Sequence, residues 1–213
     1  MSSDHLILDL DGTISDPSVG IFRSINYALE GFGYPPICES RISAYIGPPI
    51  DLTFRSLTQT TSEEHIHALV GRFRERYADI GYSENALYPG VADALQTLAQ
   101  AGARLGLCTS KRVDFAERIL SMFGLRPHFD LVSGGDVGIS KASQLADLLR
   151  EGLVGAGSTM IGDRAVDVQA GKASGLYCIG VLWGHGSESE LVDAGADRIF
   201  THPLQLGSLA DAV

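Results

Sequence analysis

Along this chain, short apolar runs alternate with stretches whose apolar residues recur every three or four positions. The runs cover residues 5–10, 104–108, 129–133, 158–161 and 177–182, with a weaker one at 197–200. Each is nearly continuous in hydrophobicity, the pattern of parallel strands covered on both faces. Between them, Ala116, Ile119, Leu120 and Phe123 fall at helical spacing. Val91, Ala94, Leu95, Leu98 and Ala99 make a similar stripe. Such spacing gives a helix one apolar face to bury. Strand and helix in alternation predict an α/β fold, an open Rossmann-like parallel sheet joined by right-handed crossovers.

One interval breaks the rhythm. The first run ends near residue 10 and the second begins near residue 104, whereas a crossover needs only about a dozen residues. Tyr88-Pro89-Gly90 punctuates the far end, so a helix from Val91 can serve as the crossover. The stretch before it reads as helical. Ile21, Ile25, Ala28, Leu29 and Phe32 form one stripe, and Ile66, Leu69, Val70, Phe73, Tyr77 and Ile80 another. Thr61 and Glu64 stand at capping-box spacing before the second. Residues 1–16 and 87–213 are therefore expected to form the α/β core, and residues 17–86 a small all-helical cap.

Composition narrows the function. At 213 residues the chain suits one domain, or a domain with an insert. A net charge of −10 disfavours nucleic acid as a partner. No apolar run approaches the ~18 residues of a membrane span. The first residues show no basic segment followed by an apolar core, so no signal peptide is expected. Cys38, Cys108 and Cys178 are far apart and form no Cys-x-x-Cys pair. They read as reduced, mostly buried thiols of a cytoplasmic protein.

Ligands of open α/β sheets bind beyond the carboxyl ends of the strands, and there the polar residues are unusual. The first run ends in Asp9-Leu10-Asp11-Gly12-Thr13, the second in Thr109-Ser110-Lys111, and the fourth in Gly162-Asp163, with Asp167 four residues on. Taken singly, each has an ordinary explanation as a turn residue or helix cap. Together on neighbouring strand ends they would bring four carboxylates, hydroxyls and a lysine to one edge. Asp9 and Asp11, two apart on an extended segment, can share a face.

This set of motifs, with Lys141 between the second and the last, resembles the four-motif signature of the haloacid dehalogenase-like superfamily. The helical insert and Trp183-Gly184-x-Gly186-Ser187 resemble its phosphoglycolate phosphatase-like branch. The resemblance implies a phosphatase acting on a small phosphorylated metabolite through an aspartyl-phosphate. In it Asp9 is the nucleophile and Asp11 the general acid and base. Thr109, Ser110 and Lys141 hold the phosphoryl group. Mg²⁺ is bound by Asp9, the main-chain carbonyl of Asp11, and Asp163, with Asp167 acting on it indirectly. Where the family often has Lys-Pro, this chain has Lys141-Ala142.

The residues discriminate within the superfamily. Its dehalogenases lack the second carboxylate of the first motif, which Asp11 supplies here. A phosphonoacetaldehyde hydrolase needs a cap lysine, and residues 17–86 contain none. A sugar-phosphate mutase or other phosphotransferase stays open, as does a non-catalytic phosphate binder. Substrate choice falls to the cap, where Gly47, within Gly47-Pro48-Pro49, and Arg55 are the candidates, with Arg23 a further possible anion contact. Phosphoglycolate, sugar phosphates and nucleoside monophosphates all fit, and so do a monomer or a dimer. Among the three lysines, Lys111 and Lys172 are expected to matter much less than Lys141.

Overall fold

The computed structural model describes residues 4–212; Met1–Ser3, part of the segment without a signal-peptide pattern, lie outside it. In chain order the elements are β1 (Leu6–Leu8), β2 (Ser15–Asp16), α1 (Ser18–Gly31), α2 (Ile50–Thr58), α3 (Glu63–Asp79), β3 (Ala86–Leu87) and α4 (Val91–Gln100). There follow β4 (Leu105–Thr109), α5 (Val113–Met122), β5 (Phe129–Gly134), α6 (Lys141–Arg150), β6 (Thr159–Gly162) and α7 (Ala165–Ala173). The chain closes with β7 (Tyr177–Val181), α8 (Glu188–Asp193) and β8 (Arg198–Phe200), and short 3₁₀ turns fill several connections.

Six strands form one sheet in the order β5-β4-β1-β6-β7-β8, with every pairing parallel. The order reverses direction beside β1, so the ends of β1, β4 and β6 meet at the switch point where ligands bind in such sheets. Alternation along the strands feeds two layers. Leu8, Leu105, Leu107 and Ile161 pack against Val91, Leu95 and Ile119 of α4 and α5. Ile7, Cys108 and Met160 face the other way, against Leu145 of α6 and Val168 of α7. The sheet is covered on both sides, which is why its strands read as unbroken apolar runs.

The helices between β2 and β3 hold a core of their own. Ile25, Leu29, Phe54, Leu69 and Tyr77 cluster there, joined by Phe115 from α5. The two connections to this helical group pair with each other: Ser15 lies opposite Leu87 and Asp16 opposite Ala86, antiparallel. Two details differ from the sequence reading. The α3 cap is Ser62, whose hydroxyl accepts from the His65 amide at 3.3 Å, not Thr61. Ser62 has the extended backbone of a helix cap, which aims its side chain at that amide. Cys38 is exposed while Cys108 and Cys178 are buried, because it lies in a loop outside both cores. Among the described residues no helix is long and apolar enough to cross a membrane.

Candidate active site

The site begins where β1 stops. The Asp9 amide still donates to Ile161 of β6 at 2.9 Å, so the strand pairing holds its backbone in place. The chain then turns tightly, with the Ile14 amide bonding to Leu10 and the Gly12 amide to Ser15. Gly12 makes that turn at φ +85°, and a Cβ there would lie 2.1 Å from Asp163 Oδ2. The turn is thus packed directly against the end of β6. The Trp183 indole donates to the Thr13 carbonyl at 2.9 Å, and the His185 amide donates to Asp163 Oδ2 at 2.8 Å. The glycine-rich segment after β7 therefore closes over the same point.

Three buried carboxylates converge at this edge. Asp9, Asp163 and Asp167 each offer an oxygen, all within 4.8 Å of one another. Lys141, the first residue of α6 and itself buried, lies 3.0 Å from Asp9 Oδ1 and bonds to Asp167. Burial alone would push this ammonium down, but Asp167 and Asp9 outweigh it and hold it above the usual lysine range. One cation does not balance three anions. Burial, reinforced by mutual repulsion, pushes Asp163 and Asp167 well above ordinary carboxylates. The buried Oδ1 of Asp11 has no hydrogen-bond partner among the described residues, and Asp9 Oδ1 meets the Lys141 ammonium as an ion pair without a well-aligned hydrogen bond. Surplus buried negative charge and converging hard oxygen donors fit a divalent cation such as Mg²⁺.

Beside them, at the end of β4, Thr109 is buried and its hydroxyl accepts from the Lys111 amide at 3.3 Å. Ser110 lines the cleft with it. Lys111, grouped with Lys172 as expected to matter much less than Lys141, stands in quite different surroundings from Lys172. Its ammonium is 2.9 Å from Asp11 Oδ2 and 2.8 Å from the Tyr77 hydroxyl of α3. Lys172 instead pairs with Asp197 at the surface. Burial lifts the Asp11 carboxyl above its usual range even though Lys111 pulls the other way. Lys111 carried one sequence signal, its adjacency to Thr109 and Ser110 in a chain with three lysines; Tyr77 carried none beyond its place in an apolar stripe.

Asp9, Asp11, Thr109 and Lys111 form the floor of a cleft whose other wall comes from the helical group. Gly47, Pro48 and Asp51 line that wall, together with Phe73 and Tyr77. Arg55 does not reach it: its guanidinium is drawn to Glu63 at 2.5 Å on the outside of the cap. Arg23 is likewise held by Glu84 at 2.6 Å. An arginine that does bridge the two parts, as Arg74 also does through Asp136 at 2.5 Å, is Arg164, which sequence reasoning passed over. It donates to the carbonyls of Ile46 at 2.6 Å and Ser43 at 3.2 Å, while Glu190 holds its other side.

The haloacid dehalogenase-like hydrolase pattern matches residues 6–181. The chain belongs to this family. Among relatives of this haloacid dehalogenase-like hydrolase is a 5'-nucleotidase of Pseudomonas aeruginosa, 34% identical over 192 residues, covering 88% of this chain and 86% of the relative. A phosphoglycolate phosphatase of Yersinia pestis is 30% identical over 202 residues, covering 91% and 87%. A Mycobacterium tuberculosis protein named tyrosine-protein kinase PtkA is 34% identical over a 222-residue alignment that spans this whole chain and 73% of the relative. Among solved structures, a protein from Clostridium acetobutylicum described as a predicted phosphatase superposes with a TM-score of 0.91 at 28% identity, full length on both sides.

Proposed function

We propose that the chain hydrolyses the phosphate monoester of a small metabolite, with Mg²⁺, through an aspartyl-phosphate on Asp9. The observation that carries this is the convergence of Asp163, Asp167 and Lys141 on Asp9, which itself lines the floor of a cleft. A phosphatase relative and a 5'-nucleotidase relative, each matched over most of both chains, support the same reading.

The Asp9 carboxylate attacks phosphorus in line with the ester oxygen, forming an acyl phosphate as the P–O ester bond breaks. Asp11 gives its proton to the departing alkoxide. It then takes a proton from the water that cleaves the acyl phosphate and returns Asp9 as a carboxylate. The raised Asp11 carboxyl suits both steps, since it is more readily protonated than an exposed aspartate. Thr109 and Ser110 hold phosphoryl oxygens, aided by the main-chain amides that lead into α5. Lys141 faces Asp9 and the incoming phosphoryl charge. Asp9, the Asp11 carbonyl and Asp163 would hold Mg²⁺, with Asp167 bracing the cluster, and the ion when bound neutralises phosphoryl charge. The cap over residues 17–86 covers the leaving group and excludes water.

The test is a phosphate-release screen over sugar phosphates, nucleoside monophosphates and phosphoglycolate, with Mg²⁺ and with EDTA. Metal-dependent release from one of them is expected. No release from any ester would refute hydrolysis. The match of this whole chain to 73% of a protein named a tyrosine-protein kinase keeps one alternative in the same experiment: transfer to an acceptor hydroxyl with no inorganic phosphate set free.

A further inference from the structure

Resting on the phosphatase reading, we propose that Lys111 is a positioning residue for Asp11. It decides which oxygen of that carboxyl carries the transferable proton, and Tyr77 of the cap sets where Lys111 stands. An ammonium only donates hydrogen bonds. With Nζ at 2.9 Å from Asp11 Oδ2, a proton on that oxygen would face the ammonium's own protons. A protonated Asp11 therefore carries its proton on Oδ1, the oxygen with no hydrogen-bond partner among the described residues. Oδ1 is then the one free to meet the leaving-group oxygen.

The position of Lys111 is not set by the core alone. Its Nζ also donates to the Tyr77 hydroxyl at 2.8 Å and lies 4.5 Å from the centre of that ring. The same hydroxyl accepts from Asn85 Nδ2 at 3.2 Å, and Asn85 Oδ1 accepts from Ser15 Oγ at 3.0 Å. Ser15 and Asn85 belong to the paired connections between core and cap, and Tyr77 belongs to the last cap helix. A buried line of hydrogen bonds thus runs from that junction through the cap to Asp11. Phe115 of α5 meets the Tyr77 ring edge-on with centroids 5.1 Å apart, which fixes the ring itself. When the cap shifts, Tyr77 moves, and Lys111 loses the second of its two anchors. Proton delivery is thereby tied to cap placement without any cap residue touching the phosphoryl group.

The experiment compares kcat/KM for two esters in Lys111→Met and Tyr77→Phe. Glycerol 2-phosphate releases an alkoxide that must be protonated, whereas p-nitrophenyl phosphate releases an anion that needs no proton. kcat/KM reports the first irreversible step, departure of that group. Lys111→Met is expected to lower the glycerol phosphate value roughly 10²-fold, the scale of a misplaced general acid. The p-nitrophenyl value should stay within about threefold. Tyr77→Phe, which removes one oxygen and keeps the packed ring, should show the same selectivity at roughly a tenth of the size. An equal loss on both esters, or no loss on either, overturns the positioning role. Failure of the unaltered protein with Mg²⁺ to release phosphate from these two esters and from every ester of the panel above overturns the phosphatase reading on which it rests.

Discussion

Replacing Gly12 by alanine adds one methyl group, and the structure assigns that methyl two separate costs. The first is conformational. At φ +85° an L residue is strained by about 1–2 kcal/mol. In a chain of this size that lowers Tm by roughly 2–8 °C. The second is steric. The new Cβ would lie 2.1 Å from Asp163 Oδ2, where contacts under 3.0 Å essentially never occur. The Asp163 carboxylate must therefore retreat by about an ångström, and a displacement of that size costs roughly 10²-fold in rate. Gly33 supplies the control. It has a similar φ of +75°, and nothing lies within 4 Å of its added Cβ. Gly33→Ala should lose comparable Tm and keep its turnover. Gly12→Ala should lose turnover by about 10²-fold and need more Mg²⁺ for half-saturation. The assay is phosphate release against Mg²⁺ concentration, beside thermal melts of both variants. If Gly12→Ala matches Gly33→Ala in turnover and metal requirement, Asp163 does not fill the space that the structure gives it, and the metal assignment fails with it.

Asp9→Asn should abolish turnover, by on the order of 10⁴ or more, with the melt retained; activity within tenfold of the unaltered chain removes Asp9 as nucleophile. The metal-free protein should lose stability as pH rises from about 4 to about 7, from the unfolded carboxylate range through the folded values of about 6 and about 7. There the folded chain holds protons on Asp163 and Asp167 that the unfolded chain has already released. Asp16, held down at about 2 chiefly by His185, acts only below that window. Melts with EDTA should show the slope and melts with Mg²⁺ should flatten it; a metal-free Tm that climbs with pH contradicts the burial of the cluster. Pro48→Ala should change the ranking of three unlike phosphomonoesters by kcat/KM while leaving the metal requirement alone, whereas Arg55→Ala, tied to Glu63 outside the cleft, should change neither. A ranking changed by Arg55→Ala but not by Pro48→Ala would put the cap's reading surface elsewhere.

The linear chain settled the features that depend on short-range spacing. Runs without polar breaks mark strands buried on both faces, and those at 105–109 and 159–162 pair with β1 on either side. Asp9, Asp11, Thr109 and Asp163 were legible because a polar residue at the end of such a run has its position dictated by the strand before it. The long gap before the second strand likewise announced an insert, since no crossover needs that length. Folding decided what depends on where long side chains end. Lys111 and Lys172 look alike in sequence, yet one ammonium is buried between Asp11 and Tyr77 and the other lies at the surface with Asp197. Arg55 and Arg164 differ in the same way: one is captured by Glu63, eight residues away, and the other reaches carbonyls more than a hundred residues away. A flexible charged side chain takes whichever partner the packed backbone brings within reach, and spacing along the chain does not encode that choice.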